Sequence, residues 1–154
     1  MAEKKNNKEK KAAYTYSIGR RKEAVARVRV YAPGNGKVEI FGNEYKKGEI
    51  VVNGKPVQEY FRFTSYAPEY NRILRDTDTS DKYVFSAKVT GGGLAGQIDA
   101  VVHGIARALD KIDTEKYHKI LKEKGYLTRD PRERERRKVG TGGKARRKKQ
   151  SPKR

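Results

Sequence analysis

Apolar and polar positions alternate along two stretches of the chain, and each predicts a half-buried strand. In residues 22–31, Ala24, Ala26, Val28 and Val30 point one way, and Arg27 and Arg29 the other. In residues 83–90, Tyr83, Phe85, Ala87 and Val89 share one face, and Ser86, Lys88 and Thr90 the other. Residues 14–18, 37–41 and 49–52 are shorter strand candidates. Pro33-Gly34-Asn35-Gly36 predicts a turn that serves as a hairpin connection, and Asn53-Gly54 predicts another turn. Elsewhere the spacing is helical. Tyr70, Ile73 and Leu74 form one buried stripe, with Ser65 as the expected cap and Pro68 in the first turn. Ile98, Val101, Val102, Ile105, Ala108 and Leu109 form a second stripe. A third helix starts near Asp113 or Thr114, buries Tyr117, Ile120 and Leu121, and stops at Gly125. Residues 76–81 read as a polar loop.

This order predicts an α+β domain: a two-layer sandwich of a small mixed sheet with helices on one face. The chain divides into a flexible basic extension at 1–13, a globular body at 14–128 and an extended basic tail at 129–154. At 154 residues there is room for one domain with a modest core.

Charge changes the picture. The chain carries 38 Lys and Arg against 19 Asp and Glu, a net charge of +19. Such an excess repels itself in a compact protein, and a polyanion is the natural compensator. The excess is uneven. Residues 129–154 hold thirteen basic and three acidic residues, and from Arg136 onward there are ten cations and no acid. Val139 is the one large apolar residue of that tail, so it cannot bury enough surface to offset its ordering entropy. A block of this kind points to a polyanion-binding tail. A membrane surface fits less well, because no run approaches the roughly 20 apolar residues of a span. No secretory or transit signal is evident at the start. Cysteine is absent, which excludes disulfides and thiolate metal sites and agrees with a reducing cytosol. His103 and His118 are the only histidines, and neither lies in a zinc-hydrolase arrangement.

Gly91-Gly92-Gly93-Leu94-Ala95-Gly96 satisfies the dinucleotide fingerprint G-x-G-x-x-G between a strand and a helix. The context argues against a nucleotide site. A second helix follows instead of a parallel strand, and Asp113 is better placed as that helix's N-cap than as a ribose-binding acid. Two compatible readings are left. The glycines permit close backbone packing, or their bare amides at a helix start attract phosphate. Asp99 and His103 lie one helical turn apart, but the pattern supplies no nucleophile, and His103 reads as a polar-face residue. Asp76, Asp78 and Asp81 lack the turn glycine and bidentate Glu of a calcium loop. No enzyme, metal or cofactor is expected.

Four stretches, in order and spacing, together resemble the bacterial-type family of small-subunit ribosomal protein nine. They are residues 19–30 (GRRKEAVARVRV), 52–61 (VNGKPVQEYF), 89–97 (VTGGGLAGQ) running on through 102–109 (VHGIARAL), and 127–132 (LTRDPR) with the basic tail. The resemblance implies the family's fold, including a left-handed βαβ crossover, where right-handed ones are the rule. It implies a place in the head of the small subunit, in the cytoplasm, beside small-subunit ribosomal RNA and neighbouring head proteins. It further implies that the tail presents its last two residues, Lys153 and Arg154, to the peptidyl-site transfer RNA. The candidate ribosomal RNA contacts of the body are Arg20, Arg21, Lys22, Arg27, Arg29, Lys88, Gly91, Gly92, Gly93 and Arg107. Those of the tail are Arg129, Arg132, Arg134, Arg136, Arg137, Lys138, Lys144, Arg146, Arg147, Lys148 and Lys149. Three departures stand out. Pro152 interrupts the family's common Ser-Lys-Arg ending, residues 38–49 resemble an insertion in a usually tighter hairpin, and the N-terminal extension is longer. The alternatives are a free-standing RNA chaperone, which would bind many RNAs alike, and a nucleotide-dependent enzyme, which would bind nucleotide at the glycine loop.

Overall fold

The computed structural model describes residues 14–34, 37–40 and 42–136. Strands β1 (Tyr14–Arg21) and β2 (Ala24–Tyr31) form an antiparallel hairpin in which Arg21 faces Ala24 across a two-residue turn. Lys22 therefore belongs to that turn, at φ +51°, and not to the strand expected from residue 22. β2 also pairs antiparallel with β7 (Val84–Thr90), and β7 pairs in parallel with β5 (Ile50–Val52). A two-residue β6 (Lys55–Pro56) closes the far edge, giving the order β1-β2-β7-β5-β6. Asn53 and Gly54, at φ +51° and +82°, make the β5–β6 turn that the Asn-Gly pair predicts. The Asn53 side chain both donates to the Val89 carbonyl and accepts from the Val89 amide, at 3.1 and 2.8 Å, fastening that turn to β7.

β5 reaches its parallel neighbour β7 through a helical crossover: α1 (Val57–Tyr60), a 3-10 turn (Thr64–Tyr66) and α2 (Ala67–Asp76). Ser65 is not the cap expected of it. It lies inside the 3-10 turn, and α2 begins from Tyr66 without a side-chain cap, with Pro68 in its first turn. Beyond α2 the polar loop folds inward, because the Thr77 hydroxyl donates to the Ile73 carbonyl at 2.8 Å and meets Thr79 at 2.8 Å. Both threonines are buried.

α3 (Leu94–Ile112) lies across β1 and β2, and α2 and α4 (Thr114–Glu123) pack against it. Ala26, Val28 and Val30 meet Ile98, Val101, Ile105 and Leu109 in one core, which Phe85, Tyr117 and Leu121 complete. Close packing of α3 on β1 is a matter of two glycines. A Cβ on Gly19 would run into the Ala100 carbonyl and the Gly104 amide, and one on Gly104 would meet the Val28 side chain. The Ser17 hydroxyl donates to the Gly104 carbonyl at 2.5 Å in the same contact. Asp113 caps α4 as its position predicts, accepting from the Lys116 amide at 3.0 Å. Gly125 ends it at φ +76° with the paired bonds of a Schellman motif, Tyr126 N–H to Leu121 and Gly125 N–H to Lys122.

Pro33-Gly34 does not join two strands of one hairpin. β3 (Lys37–Ile40) pairs with β4 (Asn43–Lys46), and neither joins the main sheet. Val38, Ile40 and Tyr45 of this second hairpin pack on Tyr31 and Val84, covering one end of the sheet face that the helices leave open.

Candidate nucleic-acid interface

Among the described residues, nothing covers the rest of that face on β1, β2 and β7. Alternation puts Tyr14, Tyr16, Ile18, Arg27, Arg29 and Lys88 on it. Arg27 stands opposite Lys88 on β7 and Ile18 on β1, and Arg29 opposite Tyr16. The Arg29 guanidinium lies 4.9 Å from the centre of the Tyr14 ring. The three strands contain no Asp or Glu. Like charges placed opposite one another destabilise a sheet, so the Arg27–Lys88 pair is a standing demand for an anion.

A second group gathers at one end of the sheet. Gly91 and Gly92, at φ +74° and +62°, lie against Glu23 of the β1–β2 turn and Ala24 at the start of β2, where a Cβ on Gly91 would come within 2.5 Å of the Glu23 carbonyl. Close packing thus accounts for two of the three glycines. Gly93 is different: it is the N-cap of α3, and a Cβ there would meet open space. The β1–β2 turn with Lys22, the glycine loop and the root of the tail all converge here.

Arg21 makes that convergence. Its side chain, only 15% exposed, pairs with Asp99 at 3.2 Å and Asp130 at 3.0 Å and also donates to the Arg132 carbonyl at 3.0 Å. Asp130 in turn takes Arg132 at 2.6 Å, and its carboxyl is held well below the usual range, first by hydrogen bonds from Arg132 and then by the charges of Arg132 and Arg21. Asp99 therefore pairs with Arg21 and not with His103. His103 is no free polar-face residue either: it is half-buried, its Nδ1 accepts from the Arg20 amide at 3.3 Å, and it hydrogen-bonds the Leu127 backbone. Burial, and then the Arg107 charge, lower its pKa. Arg107 donates to the Ile18 carbonyl at 2.6 Å. Tyr126 donates to Asp76 at 2.8 Å; its phenol is pushed up to about 12, chiefly by burial and then by that carboxylate.

The expected contacts thus fall into two kinds. Arg20, Lys22, Arg27, Arg29, Lys88, Arg129, Arg134 and Arg136 belong to exposed residues. Arg21, which is largely buried, and Arg107 and Arg132, which are themselves exposed, hold strand, helix and tail root together. Arg137, Lys138, Lys144, Arg146, Arg147, Lys148, Lys149, Lys153 and Arg154, like the extension at 1–13, lie outside the described residues. Sequence reasoning passed over Asp99, Asp130 and His103 as tail anchors. Asp130 had a signal: it is a single acid between Arg129 and Arg132 in the LTRDPR stretch.

Fold and site define a cationic α+β domain with unbalanced positive charge on its exposed sheet face and a tail root fastened to the body by Arg21. The family described as ribosomal protein S9/S16 matches residues 19–154. The small ribosomal subunit protein uS9 of Lawsonia intracellularis (strain PHE/MN1-00) is 43% identical over 127 residues, 82% of this chain and 87% of that protein. The uS9 of Maridesulfovibrio salexigens is 43% identical over 130 residues, covering 84% and 89%. The chain belongs to the ribosomal protein S9 family. It is a structural, non-enzymatic component of the small ribosomal subunit.

Proposed function

We propose that the chain binds ribosomal RNA in the head of the small subunit, among neighbouring head proteins of the cytoplasmic ribosome, and that Lys153 and Arg154 contact the peptidyl-site transfer RNA. The observation that carries this reading is the acid-free face of β1, β2 and β7, set beside a tail root locked to the body by Arg21. A body held on RNA by its cations gives position, and a tail leaving it from a fixed point gives reach. Arg forks onto phosphate and stacks on bases, while Lys acts as a point charge.

The test of the transfer RNA contact is deletion of Lys153 and Arg154. Each contact is worth on the order of 1 kcal/mol, the size of a typical net hydrogen bond or exposed ion pair. Subunits reconstituted with the shortened chain are expected to assemble normally and to bind peptidyl-site transfer RNA a few-fold to tens-fold more weakly. The loss should depend little on transfer RNA sequence, because phosphate contacts position and do not specify. Equal affinity at matched occupancy would remove the transfer RNA role and leave a ribosomal RNA anchor.

A further inference from the structure

We infer that the open part of the sheet face, with Tyr14 and Tyr16 on the same side as Arg27, Arg29 and Lys88, is a stacking site for unpaired bases of RNA. The inference rests on the ribosomal RNA reading above and deepens it by naming the part of the RNA and the residues that take it.

Three observations point to this occupant. Tyr14 and Tyr16 are 46% and 39% exposed, on strands whose other large apolar residues are mostly buried. Neither belongs to the main core on the opposite, helix-covered face, although the Tyr14 ring also touches Tyr31 of the small cluster under the β3–β4 hairpin, at 5.5 Å between centroids. An exposed ring on a cationic sheet offers what a phosphate backbone cannot use, a flat apolar surface. Stacking of successive bases on such rings is how sheet-based domains hold single-stranded RNA.

Arg29 supplies the second observation. Its guanidinium carbon sits 4.9 Å from the Tyr14 ring centre, and Tyr16 is its cross-strand partner on β1. A guanidinium laid on a ring is itself a plane on which a base can stack, so Arg29 extends the aromatic surface and does not merely neutralise charge.

The third is charge. Arg27 and Lys88 face each other across β2 and β7, and among the described residues neither forms an ion pair. They lie on the same face, one cross-strand row past the Tyr16–Arg29 pair, within reach of the backbone of a stacked strand. A duplex fits poorly, since its base faces are already covered and aromatic rings add nothing to phosphate contacts. The β3–β4 hairpin bounds the site at Tyr14, because Val38, Ile40 and Tyr45 pack on Tyr31, the cross-strand partner of Tyr14, and on Val84.

The experiment measures binding of the full chain to isolated small-subunit ribosomal RNA over a range of salt, for the parent and three double variants. With base–aromatic stacking lost, the pair Tyr14→Ala and Tyr16→Ala is expected to weaken binding roughly tenfold or more with the salt slope unchanged. The pair Tyr14→Phe and Tyr16→Phe, which keeps both rings, should bind within about twofold of the parent. The pair Arg27→Gln and Lys88→Gln should flatten the slope by roughly 0.7 for each single-strand phosphate released. Melting curves check that each variant is folded. Assembled small subunits irradiated with ultraviolet light should yield a nucleotide adduct on Tyr14 or Tyr16. The inference is overturned if folded alanine variants bind like the parent, if phenylalanine variants lose as much as alanine ones, or if this face cross-links to another ribosomal protein and to no nucleotide. A parent chain whose binding to this RNA ignores salt would instead sink the broader RNA reading, so the two failures are distinguishable.

Discussion

His103 joins three parts of the molecule through one ring: α3, which carries it, the Arg20 amide of β1 and the Leu127 backbone. Its Nδ1 accepts a hydrogen bond, so protonating that nitrogen would set two N–H groups against each other. Burial and the charges of Arg107 and Arg129 oppose protonation as well. The folded pKa is lowered from the ordinary 6.5, so the folded state binds its proton less readily than the unfolded one. The stability this group contributes is complete above about pH 6.5 and is lost as pH falls through the lowered folded value. Nuclear magnetic resonance titration of the imidazole protons, assigned against a His103→Gln variant, should place the His103 midpoint below 6.5. A midpoint at or above that value would mean that the ring is solvated and that the junction with Leu127 is open. The sequence offered only helical spacing for this residue, which fits a polar face. What decided its surroundings was the return of residues 126–132 to the body, held by Arg21 and Asp130, and no local pattern announces a long-range return.

Among the elements, glycines separate two forces that the sequence presents alike. Gly19 and Gly104 let β1 and α3 approach until backbone meets backbone, whereas Gly93 at the start of α3 looks into open space at an ordinary φ of −104°. Gly19→Ala is expected to cost about 3 kcal/mol, the upper end for overpacking, because rigid backbone and not a flexible side chain stands in the way. That lowers the melting temperature by on the order of 10 °C. Gly93→Ala should cost under about 1 kcal/mol as a change of N-cap, yet weaken ribosomal RNA binding if bare amides there meet phosphate. Melting curves and affinities on the same two proteins check both. Full RNA affinity in folded Gly93→Ala would reduce the loop to a packing device. The same scale shows why some elements were legible and others were not. β2 and α3 each bury one continuous face, so their period is written in their own residues; α4 buries Tyr117 and Leu121 but leaves Ile120, expected in the same stripe, 37% exposed, and β7 buries Val84 and Ser86 on its second face as well. β4 reads NEYK and buries nothing but part of Tyr45, β6 is two residues long, and the four-residue α1 follows Pro56 without a cap. Such elements exist because a neighbour holds them. The strand expected at 37–41 was visible because Val38 and Ile40 alternate with charge, and its partner β4 was not because it has no such alternation; the surface that Val38 and Ile40 bury, Tyr31 and Val84, lies on strands apart from both.

At the scale of the whole molecule the net charge of +19 governs what the chain can bind. Internal acids offset little of it on the sheet face, where Arg27 and Lys88 have no carboxylate among the described residues, and more of it at the tail root, where Asp99 and Asp130 engage Arg21 and Arg132. Cations already paired release fewer counterions when RNA arrives, because their field is partly spent inside the protein. The phosphate count should therefore come from the sheet face and the tail, and fall well short of the 38 basic residues. With roughly 6–10 phosphates neutralised, affinity for small-subunit ribosomal RNA is expected to drop by about three to five orders of magnitude between roughly 50 and 200 mM salt, on the duplex rule. The slope of log affinity against log salt measures that number directly. Removing residues 137–154 should flatten the slope by the tail's share and leave a residual slope that belongs to the body. If the truncated chain kept the full slope, the tail would carry no phosphate contacts in this complex. If it kept none, the cations of β2 and β7 would be solvated charges without a partner, and the body would hold RNA by shape alone.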